Sequence, residues 1–200
     1  MTTRVVLLDS GGANLGSVQA AFARLGVPVS VTSEPNVILD STHVVLPGVG
    51  SAAVCMAKLR KNGLDKLIPR LTQPLLGICV GLQLLFERSE EGETECLGLL
   101  QGEVRLIPAP PGIRVPHMGW NRLEAMPGST HPLMNGLGGA FVYFVHSYAA
   151  SPSLDTLATC AHGTSFSAVV AKGRVMGAQF HPERSSTAGA RLFRNFLALS

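Results

Sequence analysis

Residues Pro74 to Phe86 read PLLGICVGLQLLF. The apolar stretch Leu75 to Ile78 predicts a strand, the run Gly77, Cys79, Gly81 forms a G-x-C-x-G turn, and a helix is expected to follow to about Phe86. A strand that passes straight into a helix with cysteine at the turn is a nucleophile elbow. Glycine on both sides permits the sharp turn and its unfavourable backbone angles, which lifts the side chain above the carboxyl edge of a sheet. Amides at a helix N-terminus carry partial positive charge and favour thiolate over thiol, so Cys79 is a candidate nucleophile. Cys55, Cys96 and Cys160 sit in no such turn and read as ordinary structural cysteines.

Working outward, the first half alternates short β-branched runs with helical stretches. Val5 to Leu8, Val29 to Thr32 and Val44 to Leu46 predict strands, and Leu15 to Leu25 and Ala52 to Leu71 predict helix. Such alternation specifies an α/β fold around a mostly parallel sheet with flanking helices. Beyond the elbow, the charged stretch Arg88 to Glu95 predicts a solvated loop. The segments Glu103 to Leu106, Ala140 to Val145, Leu157 to Cys160, Ser167 to Ala171 and Val175 to Gln179 then follow without long helices between them. Antiparallel strands added to the sheet in the C-terminal half are expected. Thr187 to Leu199 places Leu192, Phe193, Phe196 and Leu197 at helical spacing and predicts a closing amphipathic helix.

Composition narrows the function classes. With 200 residues and 46% apolar content, one well-packed domain spanning 1–200 is expected. No apolar run is long enough to span a bilayer, and a cytoplasmic location with no membrane partner is expected. Four cysteines without CxxC spacing argue against structural disulfides or a metal site. The net charge of +3 comes from scattered Lys and Arg, which leaves no footprint for nucleic acid.

A thiolate that attacks an amide needs a group to protonate the departing amine, and histidine is the common choice. Gly177 to Ser186 reads GAQFHPERSS, with His181 and Glu183 on either side of Pro182 at the end of a predicted strand. Residues i and i+2 of an extended segment point the same way, so the carboxylate can fix the imidazole tautomer. His43, His117, His131, His146 and His162 lack such a pairing and are not assigned as the base. Acyl transfer also needs amides aimed at the oxyanion. Val80 offers one, and the PGVG run Pro47 to Gly50, through Gly48, Val49 and Gly50, offers a second, although alone it reads equally as an ordinary strand-to-helix turn.

Together LGICVGLQLL, PGVG and HPERSS resemble the class I (triad) glutamine amidotransferases, a flavodoxin-like family. The resemblance implies hydrolysis of glutamine to glutamate and ammonia through a cysteinyl thioester, with a Cys79, His181, Glu183 triad and no cofactor. The segments DSGGANLGSV (Asp9 to Val18), PHMGWN (Pro116 to Asn121) and YFVHSY (Tyr143 to Tyr148) are similar to one branch, the glutaminase subunits of imidazole glycerol phosphate synthase. That branch implies a heterodimer with a (β/α)8 synthase subunit that uses the ammonia to form imidazole glycerol phosphate and AICAR in histidine biosynthesis. It implies that Gln83, the oxyanion strand and the backbone of His146, Ser147 and Tyr148 hold glutamine. It also implies that Pro116, His117, Met118, Gly119, Trp120, Asn121 and Arg184 lie toward the partner. Two departures stand out: Ser10 and Ala13 replace Tyr and Gly of the usual D-Y-G-x-G-N pattern, and Arg184 stands where many members have Lys. The other readings are a glutaminase of another class I branch, a stand-alone thiol hydrolase, and a non-catalytic subunit that has merely inherited its triad.

Overall fold

The computed structural model describes residues 3–10 and 14–199. The chain opens with β1 (Val5–Leu8), α1 (Leu15–Ala23), β2 (Val29–Thr32), α2 (Pro35–Leu39), β3 (His43–Gly48), α3 (Ala52–Lys61) and α4 (Leu64–Leu67). The elbow follows as β4 (Leu75–Cys79) and α5 (Val80–Gln83), and then come short strands β5 (Arg88–Ser89), β6 (Thr94–Glu95) and β7 (Glu103–Leu106). The remainder comprises β8 (His117–Arg122), β9 (Glu124–Ala125), β10 (Phe141–His146), β11 (Tyr148–Ala150), β12 (Thr156–His162), β13 (Thr164–Lys172), β14 (Val175–Ala178) and α6 (Ser186–Leu197).

Among the described residues the main sheet has eight strands in the order β2-β1-β3-β4-β14-β13-β12-β9. The ladders from β2 to β14 are parallel, and those from β14 to β9 are antiparallel. Strands β1, β3 and β4 are buried along their whole length, as expected of parallel strands covered on both faces. Helices α1 and α6 meet through Phe22 and Phe193, whose ring centroids are 4.4 Å apart.

Four expectations change. The helical stretch from Ala52 breaks at Gly63, whose φ of 69° ends α3 in the left-handed conformation that glycine adopts freely. The helix after Cys79 stops at Gln83. The carbonyls of Leu84, Leu85 and Phe86 accept instead from the amides of Leu97, Leu99 and Gly98, which removes the acceptors a longer helix needs. The strands around 103–106 and 140–145 do not join the main sheet. Among the described residues β10 pairs only with β8, and β7 belongs to a side sheet ordered β11-β7-β5-β6. Strand β10 alternates buried Val142, Phe144 and His146 with more open Phe141, Tyr143 and Val145, a pattern that suits a two-stranded ribbon lying on the core with one face outward. Finally, the charged run 88–95 forms the β5–β6 hairpin, with Ser89 and Thr94 buried.

Candidate active site

Cys79 closes β4 with φ 54° and ψ −114°. For a residue with a Cβ, such angles cost about 1–3 kcal/mol and persist only where neighbours impose them. Here the ladders on both sides do so, with Gly48 opposite Cys79 on β3 and Ala178 opposite Ile78 on β14. The flanking glycines have a different role from the expected one. Neither Gly77 nor Gly81 has a positive φ. A Cβ on Gly81 would instead lie 1.8 Å from the Leu46 carbonyl oxygen, and one on Gly48 would lie 2.5 Å from the Gly81 nitrogen. Glycine is required so that α5 can settle directly on β3. With α5 only four residues long, the macrodipole is slight, and positive charge near the sulfur comes from the local amides and from His181.

His181 follows β14, and its amide donates to the Tyr143 carbonyl of β10 at 2.9 Å. The side chain of Ser185 ties the same two segments, donating to the His181 carbonyl at 2.7 Å and accepting from the Tyr143 amide at 3.0 Å. Pro182–Arg184 is a turn of 3-10 helix rather than extended chain, so Glu183 curls back onto its own histidine. His181 Nδ1 and Glu183 Oε1 are 2.8 Å apart. Oε1 also accepts from the Asn14 side-chain amide, a partner that sequence patterns did not reveal. Burial acts to lower the His181 pKa, but hydrogen bonds to Cys79 and Glu183 and their negative charges outweigh it and raise the value to about 10. The geometry sets a protonated imidazole beside the Cys79 sulfur, with a buried carboxylate fixing the ring.

These groups open on a cavity of about 660 Å³. Val49, Gly50, Val80, Gln83, His146, Ser147 and Tyr148 line it, together with Cys79 and His181. The Val80 amide, at the first position of α5, has no intrahelical acceptor. The Val49 carbonyl accepts from the Cys55 thiol at 3.7 Å, and Gly50 has a φ of 92°. Ser10, buried, donates to the Pro47 carbonyl at 2.5 Å, so this departure from the usual pattern sits under the PGVG strand. Ala13 lies outside the described residues. Glu91, expected in a solvated loop, lines the cavity and accepts from the Ala52 amide at the start of α3 at 2.7 Å. Gln83 donates through Nε2 to the Tyr148 carbonyl (2.8 Å) and to Gln179 Oε1 (3.1 Å), which leaves its own Oε1 as the atom able to receive a ligand's N–H.

The residues expected toward a partner divide by strand alternation. Met118 and Trp120 are 63% and 54% exposed on the outer face of β8, beside Phe141 and Tyr143 of β10. The Trp120 and Tyr143 rings meet edge to face at 5.9 Å. Pro116 and Arg184 line the cavity mouth and Gly119 lies between Met118 and Trp120. His117 and Asn121 point the other way. His117 Nδ1 lies 3.0 Å from His146 Nε2, His146 Nδ1 donates to the Tyr148 carbonyl at 2.9 Å, and Asn121 Nδ2 donates to the Ala161 carbonyl at 2.9 Å. Burial pushes His117 down to about 4 and His146 down to about 3. Both rings are therefore neutral at pH 7, and His146 also lines the cavity.

The fold is an α/β sheet whose cysteine elbow faces a histidine–carboxylate pair, and the profile of "Glutamine amidotransferase class-I" matches residues 6–199. The chain belongs to the class I glutamine amidotransferase family. It is 53% identical to the imidazole glycerol phosphate synthase subunit HisH of Xanthomonas campestris pv. campestris (strain 8004), an alignment covering 99% of this chain and 98% of that one. It is 52% identical to the HisH of Xylella fastidiosa (strain Temecula1), covering 98% of each. A putative GMP synthase component from Thermoplasma acidophilum superposes with a TM-score of 0.74 at 22% identity, covering 98% of this chain and 93% of the other. PurLQS from Thermotoga maritima gives 0.72 at 20% identity, covering 98% of each, so the fold is shared by proteins of quite different sequence.

Proposed function

We propose that this chain is the glutaminase subunit of an imidazole glycerol phosphate synthase. On this reading it cleaves glutamine and passes the ammonia to a (β/α)8 synthase subunit in histidine biosynthesis. The observation that carries the reading is that Cys79 and His181 open on one cavity, with Glu183 buried behind the imidazole, in a chain more than half identical to HisH over nearly its whole length. The reading takes residues 1–200 as one amidotransferase domain, acting in the cytoplasm without a resident cofactor.

The Cys79 thiolate adds to the side-chain carboxamide carbon of glutamine. The oxyanion meets the Val80 amide and an amide of the Val49–Gly50 turn. His181, held protonated by Glu183, gives its proton to the departing nitrogen, so ammonia leaves and a thioester remains. Neutral His181 then takes a proton from water, and hydroxide adds to the thioester carbonyl. The C–S bond breaks with its electron pair on sulfur, which releases glutamate and restores the thiolate–imidazolium pair. Glu91 and Gln83 Oε1 suit the substrate's α-ammonium, and the backbone of Ser147 and Tyr148 suits its carboxylate. The apolar face of Met118, Trp120 and Phe141 borders the cavity through Val145, which pairs with Met118, and is the surface offered to the synthase.

Glutamate release from glutamine, measured with and without the synthase subunit, tests the proposal. Turnover that needs Cys79 and rises in the complex is expected. Turnover of peptides or γ-glutamyl compounds in preference to glutamine, with no response to the synthase, would refute it.

A further inference from the structure

We propose that Gln179 is a further catalytic residue, whose side-chain amide donates to the Cys79 sulfur and stabilises its negative charge. The inference rests on Cys79 being the nucleophile. Gln179 is the residue after β14, and since Ala178 sits opposite Ile78, the parallel register carries Gln179 to the side of Cys79. Its exposure is 0%, and its Nε2 is 3.8 Å from Cys79 Sγ.

Amide orientation decides what such a group does to a thiolate: the nitrogen end attracts it and the oxygen end repels it. Here the orientation is imposed from outside. The Tyr148 carbonyl can only accept, so Gln83 must present its nitrogen there, at 2.8 Å. The same nitrogen reaches Gln179 Oε1 at 3.1 Å. With Oε1 held by a donor, Gln179 has only its NH₂ to turn toward the sulfur. Gln83 thereby acts as a positioning residue through Gln179.

The other polar groups on the sulfur do not substitute for this one. The Val145 carbonyl, 3.8 Å away, accepts from the thiol and does nothing for a thiolate. His181 stabilises the thiolate only while it holds its proton, and in each turnover that proton goes to the departing ammonia. Cys55, close enough to interact electrostatically with Cys79, is itself a buried thiol. A carboxamide does not titrate, so Gln179 keeps its donor through both halves of the reaction, including the moment when the thioester C–S bond breaks and the electron pair returns to sulfur.

The test follows the rate at which iodoacetamide modifies Cys79 in the full-length chain as a function of pH, read by mass spectrometry of the Cys79 peptide. Gln179→Met keeps length and volume but removes the donor. A hydrogen bond to a charged group is lost, so the midpoint of the profile is expected to rise by about one pH unit or more. The kcat for glutamine should fall about tenfold with KM nearly unchanged. Gln83→Met leaves Gln179 in place but removes the donor that holds its oxygen, so Gln179 no longer keeps its nitrogen on the sulfur and the midpoint rises as well. That variant also decides the matter should Gln179→Met fail to fold. An unshifted profile in whichever folded variant is measured, beside an inactive Cys79→Ala chain, overturns the Gln179 proposal and leaves the nucleophile standing. Glutamine hydrolysis by Cys79→Ala overturns the nucleophile itself.

Discussion

Glu183 has a side chain with no exposed surface and one oxygen shared between His181 and Asn14. Together with the Cys79 sulfur, its position explains why the imidazole is held charged despite burial, and the sign of the pH effect follows. The proton His181 must give to ammonia is in place below its raised pKa and is lost as pH rises through about 10. Glutamine turnover in the wild type should therefore hold on the alkaline side until about pH 10, whereas Glu183→Gln should move that limb toward neutrality. A limb that stays put in the variant would show that Glu183 does not support the proton. Removing the ring in His181→Ala should cost at least about a thousandfold in kcat, more than Glu183→Ala, because an orienting group matters less than the group it orients.

At the level of elements, α6 and the turn carrying His181 and Glu183 are pressed together at Gly189. A Cβ there would lie 1.7 Å from the Pro182 carbonyl oxygen, with backbone on both sides of the clash. Gly189→Ala should destabilise the chain by about 1–3 kcal/mol, as overpacking does, and should lower kcat as Pro182 shifts; thermal unfolding and a glutaminase assay check the pair of effects. Wild-type turnover in a destabilised Gly189→Ala chain would mean the turn is more tolerant than its packing implies. On the outer face of β8, Trp120→Ala should weaken synthase binding by about tenfold or more in calorimetry while leaving thermal unfolding close to wild type, since the residue is more than half exposed. The elbow and the parallel strands around it were legible in the sequence because each depends on residues a few positions apart. The partner of β10 was not, for β8 reads HMGWNR, with no β-branched residue and a glycine in its middle. Glu91 was hidden in a run of charges. Gln179 was hidden at the end of a strand, where nothing local distinguishes an amide facing a sulfur from one facing water.

Three buried histidines, His43, His117 and His146, have pKa values lowered by burial and bear on acid stability. His117 and His146 are pushed down to about 4 and about 3, below the unfolded value of 6.5. The unfolded chain thus binds protons that the native state refuses. The stability these histidines contribute is fully present above about pH 6.5 and declines as pH falls below it. Denaturant midpoints measured across that range check this; a flat profile would count against buried neutral rings. His117 and His146 also join β8, the strand proposed to meet the synthase, to the Tyr148 carbonyl, and Val49 and Gly50 of the PGVG turn line the cavity. The isolated chain is expected to turn over slowly and to gain in kcat when the synthase binds its nucleotide substrate. One missing oxyanion donor is worth about 3–4 kcal/mol, or roughly a hundredfold to a thousandfold in rate.

Reconstituting wild-type and Cys79→Ala chains with the synthase subunit, and measuring product formation from glutamine and separately from ammonium salts, tests the account most directly. The wild-type complex should use both nitrogen sources, and the Cys79→Ala complex should lose glutamine-dependent synthesis while keeping the ammonium-dependent reaction. Glutamine-dependent synthesis at the wild-type rate in the Cys79→Ala complex would contradict it.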